Sequence, residues 1–322
     1  MRAQRIASWG LALLVVLAVP FVAPPRAAAG PWTPEPGHGY LKLWLKWTCN
    51  CGFGYVASDG STYDYGFYTE IFANAYGEIG IVPGLAAWVH WPVVETFLLE
   101  DTRRGHVRDH TVIGDPAIGL RWRFLRAGRF ASALEAGVRL PFAPSGEVQP
   151  VYGRDPPHEQ IGALRVGTGV FDVPLALSIG YAWDGFYLAG SGGYVARTGD
   201  FDHVATWSAE GGGTFDFGLS LRVRFVGWHS IGNGAESSYH ESPSGIGSGT
   251  NYTGFAVEID YPFERDWWIG ATIEGGMFAL SRQTGGPVVT LYVATRFSVV
   301  EDPAPQPQTE PVVPSEETDV AP

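Results

Sequence analysis

Several groupings in the chain bring reactive side chains close together in sequence. His229-Ser230, with Asp200, Asp202 and His203 upstream, holds the residue types of a nucleophilic triad, in which an imidazole takes the hydroxyl proton and a carboxylate orients the ring. No spacing marks a nucleophile turn, so solvated loop residues are the plainer account. His106, Asp109 and His110 could ligate a divalent ion, but Arg103, Arg104 and Arg108 are interleaved with them and put positive charge where a cation would sit. Cys49-Asn50-Cys51 allows a local disulfide, a soft-metal contact or two thiols without a role, the last being the plainest. Gly211-Gly212-Gly213 lies in a strand pattern with no helix after it. Close packing against a bulky neighbour, or a bulge, therefore fits better than a phosphate loop. No catalytic, metal or cofactor-binding residue is assigned, no cofactor is expected, and an enzyme is not the expected class.

A larger set of charges recurs at alternate positions: Lys42, Lys46, Arg121, Arg123, Arg139, Arg222, Arg224 and Arg296, with Glu70, Glu78, Glu135, Glu210, Glu258, Asp260 and Glu274. They share a parity with Gly and Ser, while the opposite parity is apolar: Leu120, Trp122, Phe124; Leu134, Val138, Leu140; Val173, Leu175, Leu177, Ile179; Leu221, Val223, Phe225; Phe255, Val257, Ile259; Val289, Leu291, Val293. Period two is the mark of strands. A charged row is most often a solvated face, and parity alone does not say which side is inside.

The elements carrying these rows are twelve alternating segments: Gly39–Trp47, Phe67–Ile81, Leu85–Val94, Ala117–Leu125, Phe130–Leu140, Phe171–Trp183, Phe186–Arg197, Thr206–Phe215, Leu219–Trp228, Tyr252–Tyr261, Trp267–Leu280 and Pro287–Ser298. Short connections such as Asp184-Gly185 and Asp216-Phe217-Gly218 follow the even segments, and longer ones, among them 95–115, 141–170 and 229–250, follow the odd. Strict alternation of this kind is expected of an antiparallel up-and-down transmembrane β-barrel, not of a sandwich or propeller. Trp47, Trp91, Trp183, Trp207, Trp228, Trp267 and Trp268 stand at strand ends, where interfacial girdles would lie. On this reading the apolar parity meets lipid, so Val223→Arg is costly, whereas Arg222 tolerates substitution. The charged parity lines the lumen, and Glu70 and Glu78 bridge Lys42 and Lys46 to Arg121 and Arg123.

Composition agrees. Of 322 residues, 43 are Gly and 14% are aromatic, and only 17% are charged, against about 25% in ordinary soluble domains. The 33 acidic and 21 basic residues give a net charge of -12, which does not support a nucleic-acid partner, since phosphate recognition needs clustered positive charge. Arg2 and Arg5, an apolar run over residues 6–23 and Ala27-Ala28-Ala29 read as a cleaved signal peptide over residues 1–29. The barrel is expected over 30–300, and residues 301–322, rich in proline and acids, as an unfolded periplasmic tail able to touch a periplasmic partner. Thr290 to Phe297, alternating and closing on an aromatic, resembles the signal read by the barrel-assembly machinery, with Tyr292 where a Gly is usual.

A family resemblance joins these features. Trp32-Thr33-Pro34-Glu35-Pro36-Gly37-His38-Gly39-Tyr40, Tyr76-Gly77-Glu78-Ile79-Gly80, Gly114-Asp115-Pro116-Ala117-Ile118-Gly119-Leu120 and Gly167-Thr168-Gly169-Val170-Phe171-Asp172 are similar to motifs of the bacterial outer-membrane family labelled for the meta-pathway of phenol degradation. The resemblance covers residues 31 to 298 and implies a twelve-stranded barrel of the Gram-negative outer membrane that takes up small hydrophobic or aromatic solutes. It supplies no catalytic residues. Two classes follow: a pore or transporter, and a closed-lumen structural or surface-interaction barrel whose balanced charges fill the bore.

Overall fold

The structure, a computed structural model, describes residues 30–49, 54–57, 60–199, 201–232, 242–280, 282–283 and 287–300. The segments expected to be signal peptide and tail lie outside them. One antiparallel sheet closes on itself. Its strands are β1 (His38–Cys49), β2 (Tyr68–Val82), β3 (Leu85–Asp101), β4 (Ala117–Ala127), β5 (Phe130–Arg139), β6 (Asp172–Ala182), β7 (Phe186–Arg197), β8 (His203–Thr214), β9 (Ser220–Ile231), β10 (Asn251–Glu264), β11 (Trp267–Leu280) and β12 (Val288–Ser298). Each pairs with its neighbour in sequence, and β1 closes the ring by pairing with β12, from His38 opposite Ser298 to Thr48 opposite Val288. The fold is the expected up-and-down barrel of 12 strands.

Alternation decides the faces. Leu120, Leu175, Leu177 and Ile179 stand outward, each about half exposed, while Glu78, Glu210 and Asp260 on the other parity are buried. In a single closed sheet a buried side chain is an interior one, so the barrel is apolar outside and charged inside. The 11 residues of β6 rise about 36 Å along the strand, which at a tilt of about 45° leaves the roughly 25 Å height of an apolar membrane band. Turns at one end are tight. Gly185 has φ of 77°, a left-handed conformation that Gly adopts without steric cost, as the Asp184-Gly185 pair predicts.

The opposite, loop end departs from the expectation of plain polar connections. β3 runs on past Val94 to Asp101 and pairs there with His106–Val112. Its register slips at Pro92, which has no N–H to donate. The 141–170 connection contains a hairpin, Glu147–Tyr152 against Gln160–Arg165. These pieces share an apolar core of Tyr55, Tyr65, Tyr68, Phe97, Leu99, Val151, Leu164 and Val166, each at most 1% exposed. The resulting roof is tied to the Gly/Ser-rich connection after β9: Arg165 N donates to Ser242 Oγ (3.0 Å), and Ser244 Oγ donates to Arg165 O (2.8 Å).

At the turn end, residues 30–37 form a strap. Gly37 N donates to Gly80 O of β2 (2.9 Å), and Pro36 bridges Gly80 in parallel. From there the chain crosses towards β6 and β7, where the Trp32 ring meets the Tyr187 ring edge-on (centroids 5.7 Å, 83°). Trp32 also covers Gly180, where a Cβ would stand 2.5 Å from the ring. Because β7 lies 5 strands round the ring from β2, this segment bridges the turn-end opening.

Candidate functional site in the barrel interior

Three groups of interior charges are assembled by strands distant in sequence. The first joins β1, β8, β9, β10 and β12. Lys42 Nζ lies 3.3 Å from Glu258 and 3.7 Å from the centre of the Tyr292 ring. Arg222 reaches Glu258 (2.7 Å) and Asp260, and Tyr292 donates its hydroxyl to Glu258 (2.9 Å). Alongside, Glu210 accepts from Arg224 and from the Tyr187 hydroxyl. Gly212 makes room for this layer: a Cβ there would be 2.6 Å from Arg222 Cγ and 2.9 Å from the Tyr187 ring. Close packing accounts for that glycine of the 211–213 run.

The second group is Arg121 on β4, whose guanidinium meets Glu78 and Glu135, each at 2.8 Å, with the Tyr76 hydroxyl donating to Glu78 (2.8 Å). The third sits at the loop end. Asp172, 1% exposed, accepts from Arg139 (3.1 Å) on one oxygen and from Arg197 (3.3 Å) on the other, and Arg197 also donates to Gly247 O (2.9 Å). Opposite charges brought together in an enclosed, low-dielectric space attract more strongly than in water.

The remaining predicted residues are placed singly. Glu70 accepts from the Tyr68 hydroxyl (2.6 Å), Lys46 lies 5.8 Å from the Phe72 ring centre, Arg123 donates to Thr33 O of the strap (3.5 Å), and Arg296 stacks 4.7 Å from the Trp268 ring centre. Glu274 is half-buried on the inner parity of β11. The expected bridge from Glu70 and Glu78 to Lys42, Lys46, Arg121 and Arg123 is therefore corrected. Only Glu78 with Arg121 forms as read, because Lys42 reaches Glu258 across the closed ring. Arg222, expected to tolerate substitution, holds two carboxylates, which argues against that tolerance. Trp228 and Trp268 share the inner parity of Arg222 and Arg224 and of Gly270 and Thr272, so they are not part of an outer girdle. Sequence reading did not place Asp172, Arg197 or the tyrosines 76, 187 and 292 in the lumen; Tyr76, Asp172 and Tyr292 stood only as motif residues, and parity was the signal that could have found all five.

A cavity of about 310 Å³ remains along strands β2 to β7, lined by Tyr76, Trp88, His90, Glu135, Arg139 and Asp172 among others. His90 is backed by Trp44, the rings parallel (4°) with centroids 5.4 Å apart.

The residues of triad type do not converge. His203 Nδ1 accepts from Arg197 N (2.9 Å), Asp202 accepts from Gly249 N (3.1 Å), Ser230 Oγ donates to Thr250 O (3.1 Å) and His229 accepts from Trp207 Nε1 (3.2 Å); Asp200 lies outside the described residues. His106 bonds Arg108 (3.3 Å) and His110 bonds Gln149 (2.9 Å). Among the described residues no group of three His, Cys, Asp or Glu is placed to hold a metal ion. Cys49 is disulfide-bonded, which corrects the reading of idle thiols; Cys51 lies outside the described residues.

The architecture has a counterpart among solved structures, the crystal structure of the COG4313 outer membrane channel from Pseudomonas putida F1. The match has a TM-score of 0.59 at 11% identity and covers 85% of this chain and 100% of that one. This barrel has the fold of an outer-membrane channel. The KdgM porin also aligns, over 80% of this chain and 99% of its own, at 9% identity and a TM-score of 0.40, too low to argue from. No protein-family model matches the sequence, and no curated protein matches it. At such identities the likeness speaks for the fold alone.

Proposed function

We propose that the chain is a channel of the Gram-negative outer membrane that passes small solutes and rests with its bore narrowed. The observation that carries this reading is the inside-out barrel, in which an apolar outer band surrounds a charged interior holding an open cavity. In this reading residues 1–29 direct export, the barrel-assembly machinery inserts the chain into the lipid bilayer, the tight turns and both termini face the periplasm, and the loop roof faces outside. The family resemblance extends the solute class to small hydrophobic or aromatic compounds. A transport role, not enzymatic turnover, fits the dispersed histidines and serines.

The second reading, a closed structural barrel, is favoured by the Lys42, Arg222 and Glu258 layer, which fills one side of the bore. Single-channel recording of the purified protein in planar bilayers separates the two. Discrete currents, small or rare, are expected of the channel, and silence under all voltages is expected of the closed barrel.

A further inference from the structure

The two sides of the lumen differ in what they leave available. Around Arg222 the guanidinium, the lysine, the tyrosine and the carboxylates engage one another, and the donor left over, Arg222 Nε, is buried. In the cavity between β2 and β7, N–H donors instead line an open space. Arg139 commits one of the five N–H groups of its guanidinium to Asp172, and its side chain is 38% exposed. Asp172 has both oxygens engaged and keeps Arg197 when Arg139 turns away. Glu135, the other carboxylate lining the space, is held by Arg121. Glu95 and Asp115 act on Arg139 from further off. Trp88 reaches over β4 onto the same wall, its ring lying on Gly119 and on Gly137, between Glu135 and Arg139, where a Cβ would stand 2.5 and 2.8 Å from it. Those glycines let the indole lie against the wall. Its Nε1 is buried without a hydrogen-bond partner among the described residues. His90 continues this aromatic wall and is fixed by Trp44.

We propose that this cavity is a binding site for a small aromatic carboxylate, its ring against Trp88 and His90 and its carboxylate on Arg139. The proposal rests on the channel reading and names a solute class for it. The guanidinium fork matches a planar carboxylate in geometry as well as charge, and flat rings gain by stacking or edge contact with aromatic walls. A volume of about 310 Å³ lies at the small end of ligand pockets, which limits the solute to a single ring with short substituents. A cationic solute would have to displace an arginine from Asp172 or Glu135.

The test is calorimetric titration of the full chain in detergent with benzoate, benzyl alcohol and acetate, a readout independent of conduction. Benzoate is expected to bind at least tenfold more tightly than either of the others. Arg139→Gln should weaken benzoate at least tenfold while leaving benzyl alcohol unchanged, and Trp88→Leu should weaken both ring compounds. Arg129→Gln, at an exposed pair with Asp184 near a turn, serves as the control that changes nothing. Equal affinity for benzoate and benzyl alcohol, or benzoate binding indifferent to Arg139→Gln, overturns the proposal. If Arg139→Gln fails to give the heat-modifiable folded band, the ranking of the three compounds on the wild type decides alone. Binding without current would refute the channel reading and keep the site, whereas current without binding would refute the site and keep the channel.

Discussion

The two ends of the lumen are covered by different physics. At the loop end the roof has its own apolar core, with Tyr68, Phe97, Leu99 and Leu164 fully buried, so opening it exposes packed side chains to water. At the turn end the strap is held by a backbone bond to Gly80, an edge-on contact between Trp32 and Tyr187 and a 3.5 Å bond from Arg123. Pro31 and Thr33 are buried there as well, but the strap buries fewer side chains than the roof, so it is expected to release at lower cost, and low-stability segments are the ones that move. The difference teaches that the two covers open by different means, the roof by exposing packed apolar side chains and the strap by parting backbone and edge contacts.

The largest expected effect is on the roof. Phe97→Ala removes a buried ring packed 5.2 Å from Phe72 and should cost about 3 to 5 kcal/mol, read as faster limited proteolysis of the roof while the barrel band persists. A greater loss from Trp32→Ala in the same assay would reverse the comparison. Next comes the charged layer of the lumen wall. Arg222→Leu leaves Glu258 and Asp260 without their arginine and should cost about 3 kcal/mol, comparable with Val223→Arg on the outer face at about 2 to 4 kcal/mol. Urea titration of the folded band would measure both, and an unaffected Arg222→Leu would show that the network carries little.

Smaller effects bear on the strap. Gly180→Ala places a methyl where Trp32 lies, so a cysteine at Thr33, in a background lacking Cys49 and Cys51, should react several-fold faster with maleimide while stability changes little. Unchanged reactivity would mean that Trp32 does not anchor the strap. The smallest effect concerns selectivity. Glu78→Gln removes one of the two carboxylates on Arg121 and should shift permeation modestly towards anions, whereas Glu70→Gln, at a carboxylate held by the Tyr68 hydroxyl and not by Arg121, releases no arginine and should shift it less. Reversal potentials under a salt gradient distinguish them, and equal shifts would restore the bridge that the sequence suggested.

What was legible in the sequence was whatever period two encodes. Leu175, Leu177 and Ile179 pointed to one face and Arg222 and Arg224 to the other, and once the strand count and turn asymmetry named a barrel, inside and outside followed. The partners of those charges were not legible. Lys42 meets a residue 216 positions away, a pairing created by ring closure and the stagger of the strands. The roof was hidden because Phe97-Leu98-Leu99 is a three-residue apolar run between Glu95-Thr96 and Glu100-Asp101, too short to break what read as a polar connection. The strap was hidden because Trp32-Thr33-Pro34-Glu35-Pro36 has no periodicity. Trp228 and Trp268 stand at strand ends as girdle residues do, but parity, not position along the strand, decides which way a side chain faces.

The proposal of a channel that rests with its bore narrowed, the strap lying across one end of it, is tested most directly by planar-bilayer recording of the wild-type chain beside a variant lacking residues 31–35. The account predicts small or rare openings for the wild type and larger, longer-lived ones for the deletion, with the same heat-modifiable barrel in both. Large, continuously open wild-type currents that the deletion leaves unchanged would contradict it.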